Sequence, residues 1–246
     1  MARNHKHSAI QRKNQNTKKA QKILLYVEGR NTEPSYFDLL KRSNCTRIPV
    51  AVRGQRIGAC VDFVNKVVGK YNSLPAKEKA KYKQKWLVFD NDGHEDFAEG
   101  IRLARNQGFR VAFSNMCIEY WFMLHFYNHD GSAMPLKGDS HSKAQIDEIN
   151  KYINRYNRDN KANIKLYDEG SKMVEEDFFD LMLAIDATTH HHRIEDACQR
   201  AYEIHQTKKR HGAEFSESVT TMYELLEELG TVQKDKDDNY ILNNKL

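Results

Sequence analysis

The segment Ile23-Leu24-Leu25-Tyr26-Val27 is apolar without alternation. Such a run fits a strand buried on both faces of a parallel sheet. Glu28-Gly29 ends it, and Thr32 is placed to cap a following helix with Pro34 in its first turn. That helix presents Tyr36, Phe37, Leu39 and Leu40. A second strand is expected at Ile48-Pro49-Val50-Ala51-Val52, where Pro49 points to an edge position. From about Cys60, Val61, Val64, Val67 and Val68 share one helix face, and the charged stretch 75–85 reads as a surface helix. Trp86-Leu87-Val88-Phe89 is a third apolar strand, running into Asp90-Asn91-Asp92-Gly93. A helix over 96–106, closed by Gly108, leads to a fourth strand, Arg110-Val111-Ala112-Phe113, which Ser114-Asn115 ends. This alternation predicts an α/β fold of the Rossmann kind, a right-handed parallel sheet of about four strands flanked by helices.

Beyond residue 115 the period becomes helical. Helices are expected over 118–127, 143–158, 175–187, 194–208 and 218–229, with a polar loop at Gly131, Gly138 and Ser140. Residues 234–246 read as polar and loose. The organisation is then a basic flexible arm (1–21), an α/β core (22–130) and a helical C-terminal region packed on it (131–246).

Composition narrows the class. Hydrophobic residues are 39% and aromatics 10%, and mean hydropathy is −0.80. The chain is polar but has enough aromatics for a packed core. No apolar run approaches the ~20 residues of a membrane helix, and the N-terminus lacks a signal-peptide pattern. A cytoplasmic location is expected. Cys45, Cys60, Cys117 and Cys198 form no CxxC pair, so they read as buried thiols. Net charge is only +5, but Arg3, Lys6, Arg12, Lys13, Lys18, Lys19 and Lys22 precede the first acid. Such an arm suits a phosphate backbone or is simply a solvated tail, and both readings stay open.

The chemistry lies in the acids. In an open parallel sheet, ligands bind at the carboxyl ends of the strands. Glu28 sits at one such end, Asp90 and Asp92 at another. If the first and third strands are neighbours, the three carboxylates meet. Their repulsion in a cleft is relieved by a divalent cation. Oxygen ligands without histidine favour Mg²⁺ or Mn²⁺ over zinc. A lone glutamate after a strand, or a lone DxD, is usually a polar loop. The combination is more specific.

Tyr26-Val27-Glu28-Gly29-Arg30-Asn31-Thr32-Glu33-Pro34-Ser35-Tyr36-Phe37 resembles the opening EGxxTE-x-x-YF motif of the RloB family. Phe89-Asp90-Asn91-Asp92 is similar to its DxD strand, and Ser114-Asn115-Met116-Cys117-Ile118-Glu119-Tyr120-Trp121-Phe122-Met123-Leu124-His125-Phe126 to its SNPxFExWxLLHF block. Met116 stands where the family commonly has proline. Lys165 and Ser218-Val219-Thr220-Thr221 resemble weaker downstream blocks. The resemblance implies a Toprim-like fold and a role in abortive infection. It makes Glu28 an acid/base or metal-ordering residue and gives Mg²⁺ to Asp90 and Asp92, with Glu33 and Glu119 completing the centre. The activity implied is a metal-dependent nuclease, cutting RNA (tRNA included) or DNA and controlled by a separate partner ATPase. A non-catalytic Toprim-like module binding nucleic acid or the ATPase is the alternative. A phosphatase with an aspartate nucleophile ranks last, because its acidic pair usually follows the first strand. Oligomeric state is open, a homodimer being one option.

Other residues have plain alternatives. Glu33 also suits the positive end of a helix. An acid such as Glu119 on an apolar helix needs a metal or a buried base as partner. His125 is a candidate proton shuttle or phosphate contact, although a hydrogen-bonded core histidine is commoner. His190-His191-His192 reads as an exposed helix start rather than a metal tract. Arg53, Arg56 and Lys83 are candidates for a phosphate path without distinctive spacing. Tyr120 and Trp121 read as core. No GxxxxGK[ST] is present, so ATP hydrolysis by this chain is not expected.

Overall fold

A computed structural model describes residues 22–54, 58–138 and 140–243. The basic arm 1–21 and Arg56 lie outside the described residues. The α/β part runs β1 (Lys22–Val27), α1 (Thr32–Arg42), β2 (Val50–Gly54), α2 (Cys60–Asn72), α3 (Ala76–Lys79), β3 (Tyr82–Asp90), α4 (Phe97–Asn106) and β4 (Arg110–Asn115). Then follow α5 (Ile118–Met123), α6 (Lys143–Asn160), α7 (Glu176–Leu183), α8 (Arg193–Arg210), β5 (Val219–Thr220), α9 (Met222–Leu229), β6 (Val232–Lys234) and β7 (Tyr240–Leu242).

The main sheet has the order β2-β1-β3-β4-β5. β1 to β4 are parallel, and β5 is antiparallel to β4. Apolar residues on the central strands alternate between two cores, as period-two side chains must. Ile23, Leu25, Val27, Trp86, Val88 and Ala112 face α1 and the C-terminal helices. Leu24, Tyr26, Leu87, Phe89, Val111 and Phe113 face α2 and α4. The first core continues through α5 to α9, so the helical region and the sheet share one apolar interior. The architecture is mixed α/β and Rossmann-like, with a helical C-terminal part.

Several expectations need correction. The stretch 75–85 is helical only over α3, a single turn, and from Tyr82 onward it is strand. Its outer half is polar because Tyr82, Gln84 and Lys85 are only partly buried. The 218–229 helix begins at Met222, because Val219–Thr220 pairs with β4. The Ser114 and Thr220 hydroxyls lie 2.9 Å apart there, and Thr221 Oγ1 accepts from Phe113 N–H. Residues 232–242 are a hairpin rather than loose chain. Tyr240 anchors it, packed between Tyr202 and Tyr223. Asn31, not Thr32, holds the N-cap position of α1, and no side chain caps that helix.

Candidate functional site

The strand register builds the site. Val27 pairs with Val88 on β3, and Glu28 N–H continues the ladder to Val88 O at 3.0 Å. Glu28 therefore stands beside the end of β3, and its Oε2 accepts from Asp90 N–H at 3.3 Å. Asp90 pairs with Ser114 on β4, so its side chain leaves the sheet against the start of α5. There Oδ2 accepts from Ile118 N–H at 2.8 Å, an ionic hydrogen bond at a helix N-terminus. The carbonyl of Met116 accepts from both Asn91 N–H (3.1 Å) and Asp92 N–H (3.0 Å) and fixes the turn that follows. Asp92 and Gly93 both adopt positive φ, +45° and +79°. Aspartate tolerates that region and glycine enters it freely.

Glu33 comes back from the first turn of α1. Its Oε1 accepts from Gly29 N–H at 3.1 Å. The carboxyl lies over Gly29 so closely that a β-carbon there would overlap it. Glu119, with a side chain only 2% exposed, faces the same space from α5. It accepts from the Tyr167 hydroxyl at 3.2 Å and lies 3.9 Å from Lys172 Nζ.

Glu28, Glu33, Asp90, Asp92 and Glu119 all line one pocket of about 490 Å³. Arg30, Asn31, His94 and the turn 169–172 complete its wall. That turn is shaped by Asp168, whose carboxylate accepts from Gly170 and Ser171 N–H. It is tied to α1 by Asn31 Nδ2, which donates to Ser171 O at 2.9 Å.

The electrostatics follow from burial and crowding. Burial raises Glu28 to about 8; the Asp90 N–H opposes this, and Asp92, Glu33 and Asp96 add to it. Burial likewise raises Glu33 to about 7, against the Gly29 N–H and with help from Glu119 and Asp92. Asp90 is pushed well above the usual carboxylate range, first by burial and then by Glu33, Asp92, Glu119 and Glu28. Burial alone would lower Lys172, but Glu119, Asp92 and Asp90 outweigh it and raise the ammonium.

Donor chemistry and charge fit a hard cation: the pocket's acids offer carboxylate oxygens, crowded and short of positive charge. Among the described residues, no three His, Cys, Asp or Glu side chains are grouped as metal ligands. The reason is visible in the bonds, since Glu28, Glu33 and Asp90 each turn an oxygen to a backbone N–H. The arrangement suits a Mg²⁺-like ion, which keeps several waters and takes one or two carboxylates, better than an all-protein cage.

His125 is not brought to this site. It is buried under α5, its Nδ1 3.0 Å from Trp121 O and its ring edge-on to that indole, and burial lowers it to about 3. Trp121 is itself core, donating to the Tyr36 hydroxyl. Tyr120 is fully buried. Arg53 is held by Tyr26, Tyr82 and Glu78, and Lys83 by Glu228. His192 caps α8. Sequence reasoning missed Lys172, His94 and the 169–172 turn. Asp168-Glu169-Gly170-Ser171 signals a turn, but nothing local says that it meets α1.

No described helix is long and apolar enough to cross a membrane. No curated protein and no solved structure matches the chain significantly. The sequence profile described as RloB-like protein matches residues 23–229. That span begins in β1, includes each acid of the pocket and ends with α9, and the chain belongs to the RloB-like protein family.

Proposed function

We propose that the chain is a metal-dependent, Toprim-type nuclease acting on RNA or DNA in an antiphage abortive-infection system under the control of a partner ATPase. One observation carries this reading: five carboxylates, from the ends of β1 and β3 and from α1 and α5, line one pocket. A Mg²⁺ or Mn²⁺ bound at Asp90 and Asp92 would offset the charge of a phosphodiester and supply Lewis acidity. Lys172 and Arg30, on the same wall, attract a phosphate that the acids alone would repel. Glu28, which burial raises to about 8, is suited to give a proton to the leaving oxygen and, once ionised, to accept one from the attacking water. Glu119 positions Lys172 and the Tyr167 hydroxyl.

The test is an assay of purified protein with labelled RNA and DNA, with Mg²⁺, Mn²⁺ or EDTA. Cleavage that needs the ion and disappears in Asp90→Asn is the expected result. Cleavage insensitive to EDTA and to that variant overturns the reading. One observation favours a second reading, a non-catalytic module binding nucleic acid or the ATPase: three of the acids already satisfy backbone N–H groups. It is supported if no cleavage appears with or without the ATPase while nucleic-acid or ATPase binding persists.

A further inference from the structure

A second cleft, of about 620 Å³, shares no residue with the acidic pocket. It opens among α6, α8 and the segment 185–189. Its aromatic side is a column. Phe126 stacks on Tyr152 with centroids 4.5 Å apart and planes at 30°, and Tyr156 follows at 6.3 Å and 19°. Phe126 and Tyr152 are buried, whereas Tyr156 is partly exposed and ends the column.

The charged side has two layers. The inner one is saturated. Arg193 is 3% exposed, lies 3.2 Å from Asp186, and donates to Tyr152 Oη and to the carbonyls of Leu181 and Ala184. These bonds tie α8 to the end of α7 and explain the residue as a structural one. The outer layer is different. Arg155 is exposed, and its guanidinium rests 5.2 Å from the Tyr152 centroid. Among the described residues, no carboxylate lies within ion-pair distance of it. Asp159, the acid on this rim, is held by Arg158 at 2.8 Å. Folding accounts for Arg193, whose guanidinium also lies 5.7 Å from the Tyr156 centroid, but leaves the Arg155 charge and the exposed part of the Tyr156 ring facing the cleft.

A flat ring surface beside an unneutralised guanidinium matches a planar base carrying a phosphate. The volume lies in the range of small-ligand clefts. We infer that this cleft is a nucleotide-binding site distinct from the acidic pocket, stacking a base on Tyr156 and holding its phosphate at Arg155. The nucleotide is either free or part of a single strand.

Calorimetric titration separates these sources. The four ribonucleoside monophosphates form one arm, and five-nucleotide single-stranded RNA and DNA the other. EDTA is present throughout, so that no divalent cation draws phosphate into the acidic pocket. Binding of monophosphates identifies a free nucleotide, and binding of oligonucleotides alone identifies a strand segment. In either case Tyr156→Leu and Arg155→Glu each weaken binding about tenfold or more. Circular dichroism and a melting curve show whether each variant is folded, and Arg155→Lys, keeping the charge on an exposed site, serves as a folded control with partial affinity. Absence of binding in both arms, or binding indifferent to Tyr156→Leu and Arg155→Glu, overturns the inference. Neither result bears on cleavage at the acidic pocket.

Discussion

The acidic pocket and the Arg193 cluster both hold ionisable groups against apolar surroundings, yet they solve the burial problem in opposite ways. Around Arg193 the charge is matched by Asp186 at 3.2 Å and by carbonyl acceptors. Around Asp90 acidic side chains crowd together, and among the described residues of the pocket wall Lys172 and Arg30 are the cations that oppose them. A matched pair is a complete structural unit, whereas an unmatched cluster persists at a cost in stability and invites a cation or substrate. The difference teaches that burial alone does not mark a site. His125 makes the same point: it is fully buried and strongly perturbed, but it has no access to the pocket.

The largest expected effect tests the acidic side. Asp90→Asn should reduce cleavage by at least about 100-fold, while the melting temperature stays level or rises because repulsion is relieved. A collapse of the fold would show that the charge is structural and erase the contrast. Next is the matched cluster. Arg193→Ala leaves Asp186 without its partner and should cost about 3–5 kcal/mol of stability, read by urea denaturation, with cleavage per folded molecule unchanged. A cost below about 1 kcal/mol would sink the structural assignment.

The pH dependence is a third probe. Glu28 at about 8 lies above its value in the unfolded chain, so the folded protein binds the proton more tightly. This contribution to stability is fully present below about pH 4.5 and is lost as pH rises through about 8. Glu28→Gln should remove that slope and make the protein more stable than the parent at pH 8.5, by roughly 2 kcal/mol. Urea denaturation at pH 5 and pH 8.5 checks both signs, and parallel profiles for the two proteins would contradict the assignment.

The smallest effect is ligand linkage. Millimolar Mg²⁺ at pH 8 should raise the parent's melting temperature by about 2–4 °C and leave an Asp90→Asn/Asp92→Asn variant unmoved. An equal rise in both would place the ion elsewhere.

Much of this was legible in the chain because it depends on short-range periodicity. The unbroken apolar runs in β1 and β3 announce strands buried on two faces, and Glu28, Asp90 and Asp92 follow as residues at their carboxyl ends. The long helices 143–160 and 193–210 were readable from their spacing. β5 and the 232–242 hairpin were not, because two- and three-residue strands carry no period and exist only through partners distant in sequence.

From the residues alone came the α/β class, the strand-end acids and the family motifs, since each is written in contiguous stretches whose local pattern suffices. Only the tertiary structure decided that β1 and β3 are neighbours, that Glu33 folds over Gly29, and that the 169–172 turn brings Lys172 to Glu119. It also moved His125 from candidate to core and set one oxygen of Glu28 and one of Asp90 on backbone N–H groups. These outcomes depend on packing and hydrogen-bond partners contributed by segments up to about 140 residues apart, and no local pattern encodes such partners.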